Sequence, residues 1–195
     1  YSSEVTRFGN NGTVFTDGGA PTYGSVSDLL VMDRTAGGLR IATGGGGAAS
    51  GGAFDTNSRY VGLVGYTSDS QYLIFNSYYA QNIGNFTAPS TSASINLVAY
   101  HLPTGAQTLL SHSARADNTE ISTSPVDLSY ISSDGQYAVF TAKDASKLGN
   151  GGVAFTDTAT SNTDVFATRL SDSSIRLLSA GATGTASAGA KFSCL

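Results

Sequence analysis

The side chains in this 195-residue sequence best suited to acid–base or nucleophilic chemistry are two histidines, one cysteine and 14 acidic residues. A Ser/His/acid relay must draw on His101 or His112, because a serine hydroxyl needs an imidazole within hydrogen-bond reach to lose its proton. His101 falls on the solvent side of a predicted strand and His112 in a polar link, so neither is matched with a nucleophile. The segment Gly47-Ala48-Ala49-Ser50-Gly51 has the wrong spacing for a Gly-x-Ser-x-Gly elbow. The glycine run at 44–47 lacks the Gly-Lys-Ser/Thr that completes a phosphate loop. Asp69 and Asp134 are accounted for by turns, and the Trp-containing Asp-box of sialidases is ruled out because the chain has no Trp. A carboxylate pair for glycoside hydrolysis would have to assemble from distant parts of the chain. The expectation is a protein that is not an enzyme.

Metal chemistry rests on hard oxygen donors. Asp157, Asn162 and Asp164, or Asp17 with Asp28, offer ligands to calcium, although no stretch has the spacing of a twelve-residue calcium loop. Two histidines and Cys194 alone do not make a zinc set. No cofactor is expected, calcium being the one alternative. Contact chemistry is better represented. Tyr23, Tyr78, Tyr79, Phe86 and Phe155 all fall in predicted loops. Each ring alone reads as a pin fastening its loop to the core, and together they read as a contact face for glycan or protein. The triplets Asn11-Gly12-Thr13 and Asn85-Phe86-Thr87 are N-glycosylation sequons in or beside those loops.

A repeat positions these residues. DLLVMDRTAGGLRIAT starts at Asp28, NLVAYHLPTGAQTLLS at Asn96 and DVFATRLSDSSIRLLS at Asp164, and both intervals are 68 residues (96 − 28 and 164 − 96). Between them SDSQYLIFNSYYAQNIG at Ser68 recurs as SDGQYAVFTAKDASKLG at Ser133, with a worn copy, NNGTVFTDG, at Asn10. A fixed period of this size marks an array or a propeller. Each unit divides into four short strands: in the third unit 127–131, 136–140, 164–170 and 175–179. The second strand is apolar without alternation, as when neighbouring sheets cover both of its faces. No window carries the helical 3.6-residue period, and 24 glycines punctuate the chain.

The expected fold is therefore all-β: a propeller-type array of about three four-stranded antiparallel blades, open or part of a larger ring. The whole chain reads as one domain with units at about 1–58, 59–125 and 126–189, and residues 190–195 opening a further blade. A two-sheet sandwich gives no reason for a hairpin to recur at constant spacing. Connections between second and third strands are long: 16–27, 76–95 and 141–163, or 12, 20 and 23 residues. Loops of that length without helix or strand are commonly functional, and in a propeller all three leave the same face.

The phrase Ser132-Ser133-Asp134-Gly135-Gln136-Tyr137-Ala138-Val139-Phe140, followed by Asp164-Val165-Phe166-Ala167-Thr168-Arg169-Leu170, resembles the repeat of TolB-type, WD40-like β-propellers. The second unit keeps the pattern with Ser70 in place of the turn glycine. The first departs from it, with Gly9 where the Asp belongs. The resemblance implies blades that elsewhere close into rings of six to eight. It implies no particular task, since such propellers serve as binding proteins, assembly factors and enzyme accessory domains.

Composition narrows the partners. Ten Lys and Arg against 14 Asp and Glu give a net charge of −4, with no basic run, so duplex nucleic acid is not an expected partner. Charged residues make up 12%, about half the usual share, leaving a surface of hydroxyl, amide and glycine typical of secreted, periplasmic or cell-surface proteins. No apolar run approaches a transmembrane length. The reading is a noncatalytic scaffold contacting protein, glycan or further copies of itself through same-face loops and open blade ends. The alternative is a segment of a polysaccharide-cleaving or peptidase-associated propeller enzyme with its catalytic residues elsewhere.

Overall fold

In the computed structural model, fourteen strands and one short 3-10 turn are described over residues 9–10, 13–14, 29–35, 37–43, 60–78, 80, 83, 86, 94–117, 120, 122–157 and 162–180. The first unit supplies two hairpins, β1 (Gly9–Asn10) with β2 (Thr13–Val14) and β3 (Leu30–Met32) with β4 (Leu39–Ile41). The second is a four-stranded antiparallel sheet ordered β5 (Tyr60–Tyr66), β6 (Tyr72–Tyr78), β7 (Ile95–His101), β8 (Gln107–Leu109). The third repeats that order with β9 (Val126–Ile131), β10 (Tyr137–Lys143), β13 (Thr163–Arg169) and β14 (Ile175–Leu177). A small hairpin, β11 (Gly149–Asn150) with β12 (Val153–Ala154), and a 3-10 turn at Ala145–Lys147 occupy the connection between β10 and β13. That connection is therefore not the structureless loop its composition suggests. The all-β class is as expected, and among the described residues the first unit shows hairpins rather than a four-stranded sheet.

The sequence period reappears in the hydrogen bonding. The backbone amides of Ala42, Leu110 and Leu178, spaced 68 apart, donate to the carbonyls of Leu29, Leu97 and Val165, also spaced 68 apart. In return the amides of Leu29, Leu97 and Val165 donate to the hydroxyls of Thr43, Ser111 and Ser179 at 2.9–3.2 Å. A hydroxyl thus continues the ladder one step after the last strand and fixes where the chain leaves the sheet. In both complete sheets the first strand also carries one extra residue. Leu63 and Gly65 oppose Phe75 and Ile74, and Val126 and Ser129 oppose Ala142 and Phe140. A bulge of this kind increases local twist.

Central strands bury both faces, which is why Leu73, Ile74 and Phe75 run together without a polar break. Register separates the two faces. Leu73 and Phe75 pair with Tyr100 and Val98 and point toward the first unit, joining a cluster with Leu29, Ala42, Ala80, Ile83 and Leu109. Ile74 pairs with Ala99 and points the other way, into a cluster with Leu97, Leu110, Phe140, Phe166 and Ile175 of the third unit. Phe140 and Phe166 face each other across β10 and β13, stacked with centroids 5.3 Å apart. The second sheet therefore presents a front face to the first unit and a rear face to the third. Hydrogen bonds cross the same junctions: Gln107 Nε2 donates to the Ala42 carbonyl and Thr168 Oγ1 to the Leu110 carbonyl, both at 2.7 Å.

Truncation of Phe166, fully buried at the second junction, should lower unfolding free energy by about 3–5 kcal/mol in urea titration of Phe166→Ala. Ser70 holds a left-handed φ of 57° where Gly135 in the next unit has 70°. Ser70→Gly should therefore raise stability by roughly 0.5–1 kcal/mol in the same assay.

Candidate functional site

The stacked sheets have two unlike ends. At one, tight turns join β5 to β6 and β9 to β10 with the same bonding. Thr67 Oγ1 and Ser132 Oγ each donate to the carboxylate two residues on, Asp69 or Asp134, at 2.6 Å. Each carboxylate also accepts the amide of Gln71 or Gln136 at 3.0 Å. The two turns touch. A Cβ on Gly135 would lie 2.9 Å from Ser68 Oγ and 3.2 Å from the Ser68 amide, so glycine meets both the φ requirement and the close approach. The hydroxyl donors, followed by the backbone amides, hold Asp69 and Asp134 below the ordinary carboxylate value of 3.8. At the β13–β14 turn the Ser174 hydroxyl and amide do the same for Asp172. These acids serve turns, as their sequence context suggested.

At the opposite end emerge the β6–β7 connection, the β10–β13 connection and the link from β8 to β9. Here the link and the third unit's connection form an open cavity of about 430 Å³ lined by Ser113, Ala114, Arg115, Glu120, Thr123, Ser146 and Lys147. Arg115 is held by Asp117 at 3.3 Å and Glu120 at 3.8 Å, and Ser113 Oγ donates to Glu120 at 2.9 Å. Lys147 lies 3.9 Å from Asp144, whose carboxylate also accepts the Ser146 hydroxyl. Gly149 braces the wall, because a Cβ there would come within 2.1 Å of the Val153 carbonyl oxygen and 2.7 Å of Ala114 Cβ. Asn150 ties the small hairpin to edge strand β14, its amide donating to the Ile175 carbonyl at 2.8 Å and accepting the Ile175 amide at 2.7 Å. The cavity combines two cations, one carboxylate and three hydroxyls. No sequence signal marked it, since its residues come from a link and a loop that only the packing of units brings together.

The aromatic candidates divide. Phe155 packs against Phe166 with centroids 5.9 Å apart, and Phe86 packs on the cluster between the first two units. Both rings fasten their connections to the core while staying partly exposed. Tyr78 ends β6, half-buried. Tyr23 and Tyr79 lie outside the described residues, as do Asn11, Asn85, Asp17 and Asp28. Of the calcium candidates, Asp157 accepts the Ala145 amide at 2.9 Å, Asn162 is exposed, and Asp164 is buried against Ser179 Oγ at 2.8 Å. Among the described residues no three His, Cys, Asp or Glu side chains converge as a metal set.

The histidines serve structure. His101 Nδ1 lies 2.7 Å from Thr104 Oγ1 within its turn, and its ring tilts against Tyr72. His112 is fully buried, with Nδ1 3.0 Å from the Ser113 carbonyl oxygen and Nε2 2.8 Å from that of Ser173. It stitches the link to the outer turn of the third unit. Burial also holds the Tyr100 hydroxyl above its ordinary ionisation range. Arg40 opposes that shift, yet the hydroxyl makes no hydrogen bond of ordinary geometry.

The Asx position that opens each β7-type strand differs between units. Asn96 is fully satisfied: its oxygen accepts Ser111 Oγ and the Ser122 amide, and its nitrogen donates to Ser94 and the Ser122 carbonyl, all at 3.0–3.3 Å. At the equivalent place Asp164 Oδ2 is buried without a partner. A scan against protein-family models finds no match for the chain, and a search among curated proteins finds none either.

Two outcomes follow from this geometry. A group with a depressed folded pKa adds stability that is complete above its unfolded value and lost as pH falls through its folded value. Wild-type protein should therefore lose thermal stability between about pH 4 and 2 more steeply than Asp69→Asn/Asp134→Asn, followed by circular dichroism melts. Asp164→Asn replaces an orphan buried oxygen with the amide the second unit uses, and should raise the melting midpoint at neutral pH by a few degrees, equivalent to ~1 kcal/mol.

Proposed function

We propose that this chain is a noncatalytic, propeller-type scaffold that binds protein or glycan at the end where its long connections emerge, and that it works outside the cytoplasm. The observation that carries the reading is the meeting of the third unit's inserted connection with the interunit link around a polar cavity. Loops set on a rigid sheet stack are the usual place for recognition. A volume near 430 Å³ suits one small polar group. Arg115 and Lys147 in the lining, together with the hydroxyls of Ser113, Thr123 and Ser146, favour a ligand carrying hydroxyl and carboxylate groups. An acidic sugar or an acidic loop of a protein partner presents those groups. The turn phrases resembling TolB-type repeats support the blade architecture, and the hydroxyl-rich, lysine-poor surface supports an extracytoplasmic setting.

Binding of the purified chain to an array of neutral and acidic glycans, and pull-down of protein partners, test this directly. Arg115→Ala and Lys147→Ala should each weaken the ligand found by about tenfold, the loss of one charge-assisted bond, with no change in melting temperature. Unchanged affinity in both variants would move the contact away from this cavity. Cleavage of a polysaccharide by the chain, abolished by Glu120→Gln, would replace the scaffold with an enzyme.

A further inference from the structure

The two internal junctions obey one rule, and the molecule carries the two halves of a third. At the first junction Ala42 of the first unit and Tyr100 of the second share a buried cluster and are 0% and 1% exposed. At the second, Leu110 and Thr168 hold the same places 68 residues on, both 0% exposed and joined by the Thr168 hydrogen bond to the Leu110 carbonyl. One more step along the repeat leads from Ala42 and Leu110 to Leu178, at the rear of the third unit. One step back from Thr168 and Tyr100 leads to Met32, at the front of the first unit. Leu178 is 53% exposed and Met32 is 64% exposed, although every equivalent residue inside the molecule is covered.

The surroundings extend the pattern. Tyr130 and Val139 pair across β9 and β10 on the rear of the third unit, and Tyr130 is exposed there. In the second unit the same pair is Gly65 with Ile74, and Ile74, the counterpart of Val139, is fully buried by the third. On the front of the first unit, Leu30 and Leu39 are only partly buried around Ile41. Ile41 at one end and Val165 and Ala167 at the other are buried, so the apolar exposure is confined to Met32, Leu178 and Tyr130, side chains that gain from being covered.

We propose that a second copy of this chain docks head to tail, seating its Met32 over Leu178 as Tyr100 sits against Ala42 within one chain. The proposal rests on the stacked-unit reading above and names its partner. The occupant is a copy of this chain because the surface that fits the rear of one unit is the front of another, and the first unit carries a front. The junction is heterologous, so two copies close a ring if the rotation per unit permits, and otherwise the array grows. It is weaker than the internal junctions. Those add polar stitches from Gln107 and Thr168, whereas Met32 brings only an adaptable apolar side chain.

Light scattering and sedimentation velocity on the full chain should show mass rising with concentration from 19.9 kDa to a multiple of it. Met32→Glu and Leu178→Glu should each weaken association at least tenfold. An equimolar mixture of the two variants should recover a two-copy species, because one junction then unites an intact Met32 with an intact Leu178. If either glutamate variant loses its circular dichroism spectrum, Met32→Ser and Leu178→Ser give the same readout. A mass fixed at 19.9 kDa across the concentration range, or undiminished association of Leu178→Glu, overturns the docking mode. A monomer that still binds ligand through Arg115 and Lys147 would overturn the docking alone, and an associating chain without that binding would overturn the loop-end reading alone.

Discussion

Burial of both faces of the second unit's central strands by the units on either side is the constraint on which the rest of this structure depends. Leu73 and Phe75 face one neighbour and Ile74 faces the other, so the second sheet cannot complete its core alone. Stacked repeats commonly share this property: each unit contributes half of every interface and stability resides between units as much as within them. The same constraint explains why polar atoms at the junctions are so often paired. Once the Ala42 and Leu110 carbonyls lie beneath another sheet, the next unit must supply a donor, and Gln107 and Thr168 do so.

The ends of the sheets inherit their character from this arrangement. Where β5 returns to β6 and β9 to β10, a hydroxyl and a carboxylate close the turn, leaving short, internally bonded connections. Where chain must pass from β6 to β7, from β10 to β13 or on to the next unit, it has length to spare. Buried anchors, Ala80 and Ile83 in one connection and Ala145 and Leu148 in the other, tie that length to the core. In the β10–β13 connection Ser146 and Lys147, between the anchors, line the polar cavity. A rigid base with anchored excursions can present charged groups such as Arg115 and Lys147 at fixed positions without strain on the core.

Much of the architecture was legible in the sequence because the repeat reports it directly. The 68-residue interval predicts equivalent strands, and Asp28, Asn96 and Asp164 mark the start of the third strand in each unit; the strand appears at Leu30–Met32, Ile95–His101 and Thr163–Arg169. Boundaries moved by one to three residues, β10 running on to Lys143 because Thr141 and Ala142 continue to pair with Val165 and Asp164. The insertion holding Gly149 and Asn150 reads as irregular in the sequence, since a two-residue hairpin has too few alternating positions to register as a pattern. The cavity was illegible for a different reason. Its lining depends on the distance between a link and a loop of different units, which composition does not encode. His112 reads as a polar link residue in sequence and is buried, because the carbonyl it meets belongs to Ser173, 61 positions away.

Native-state hydrogen exchange on the full chain tests most directly whether the units stand or fall together through their shared faces. Slow amides in β6 and β7 and in β10 and β13 should report one common opening free energy, because removing either sheet uncovers the other. Separate opening free energies for the two sheets, with one remaining protected while the other exchanges, would contradict the account.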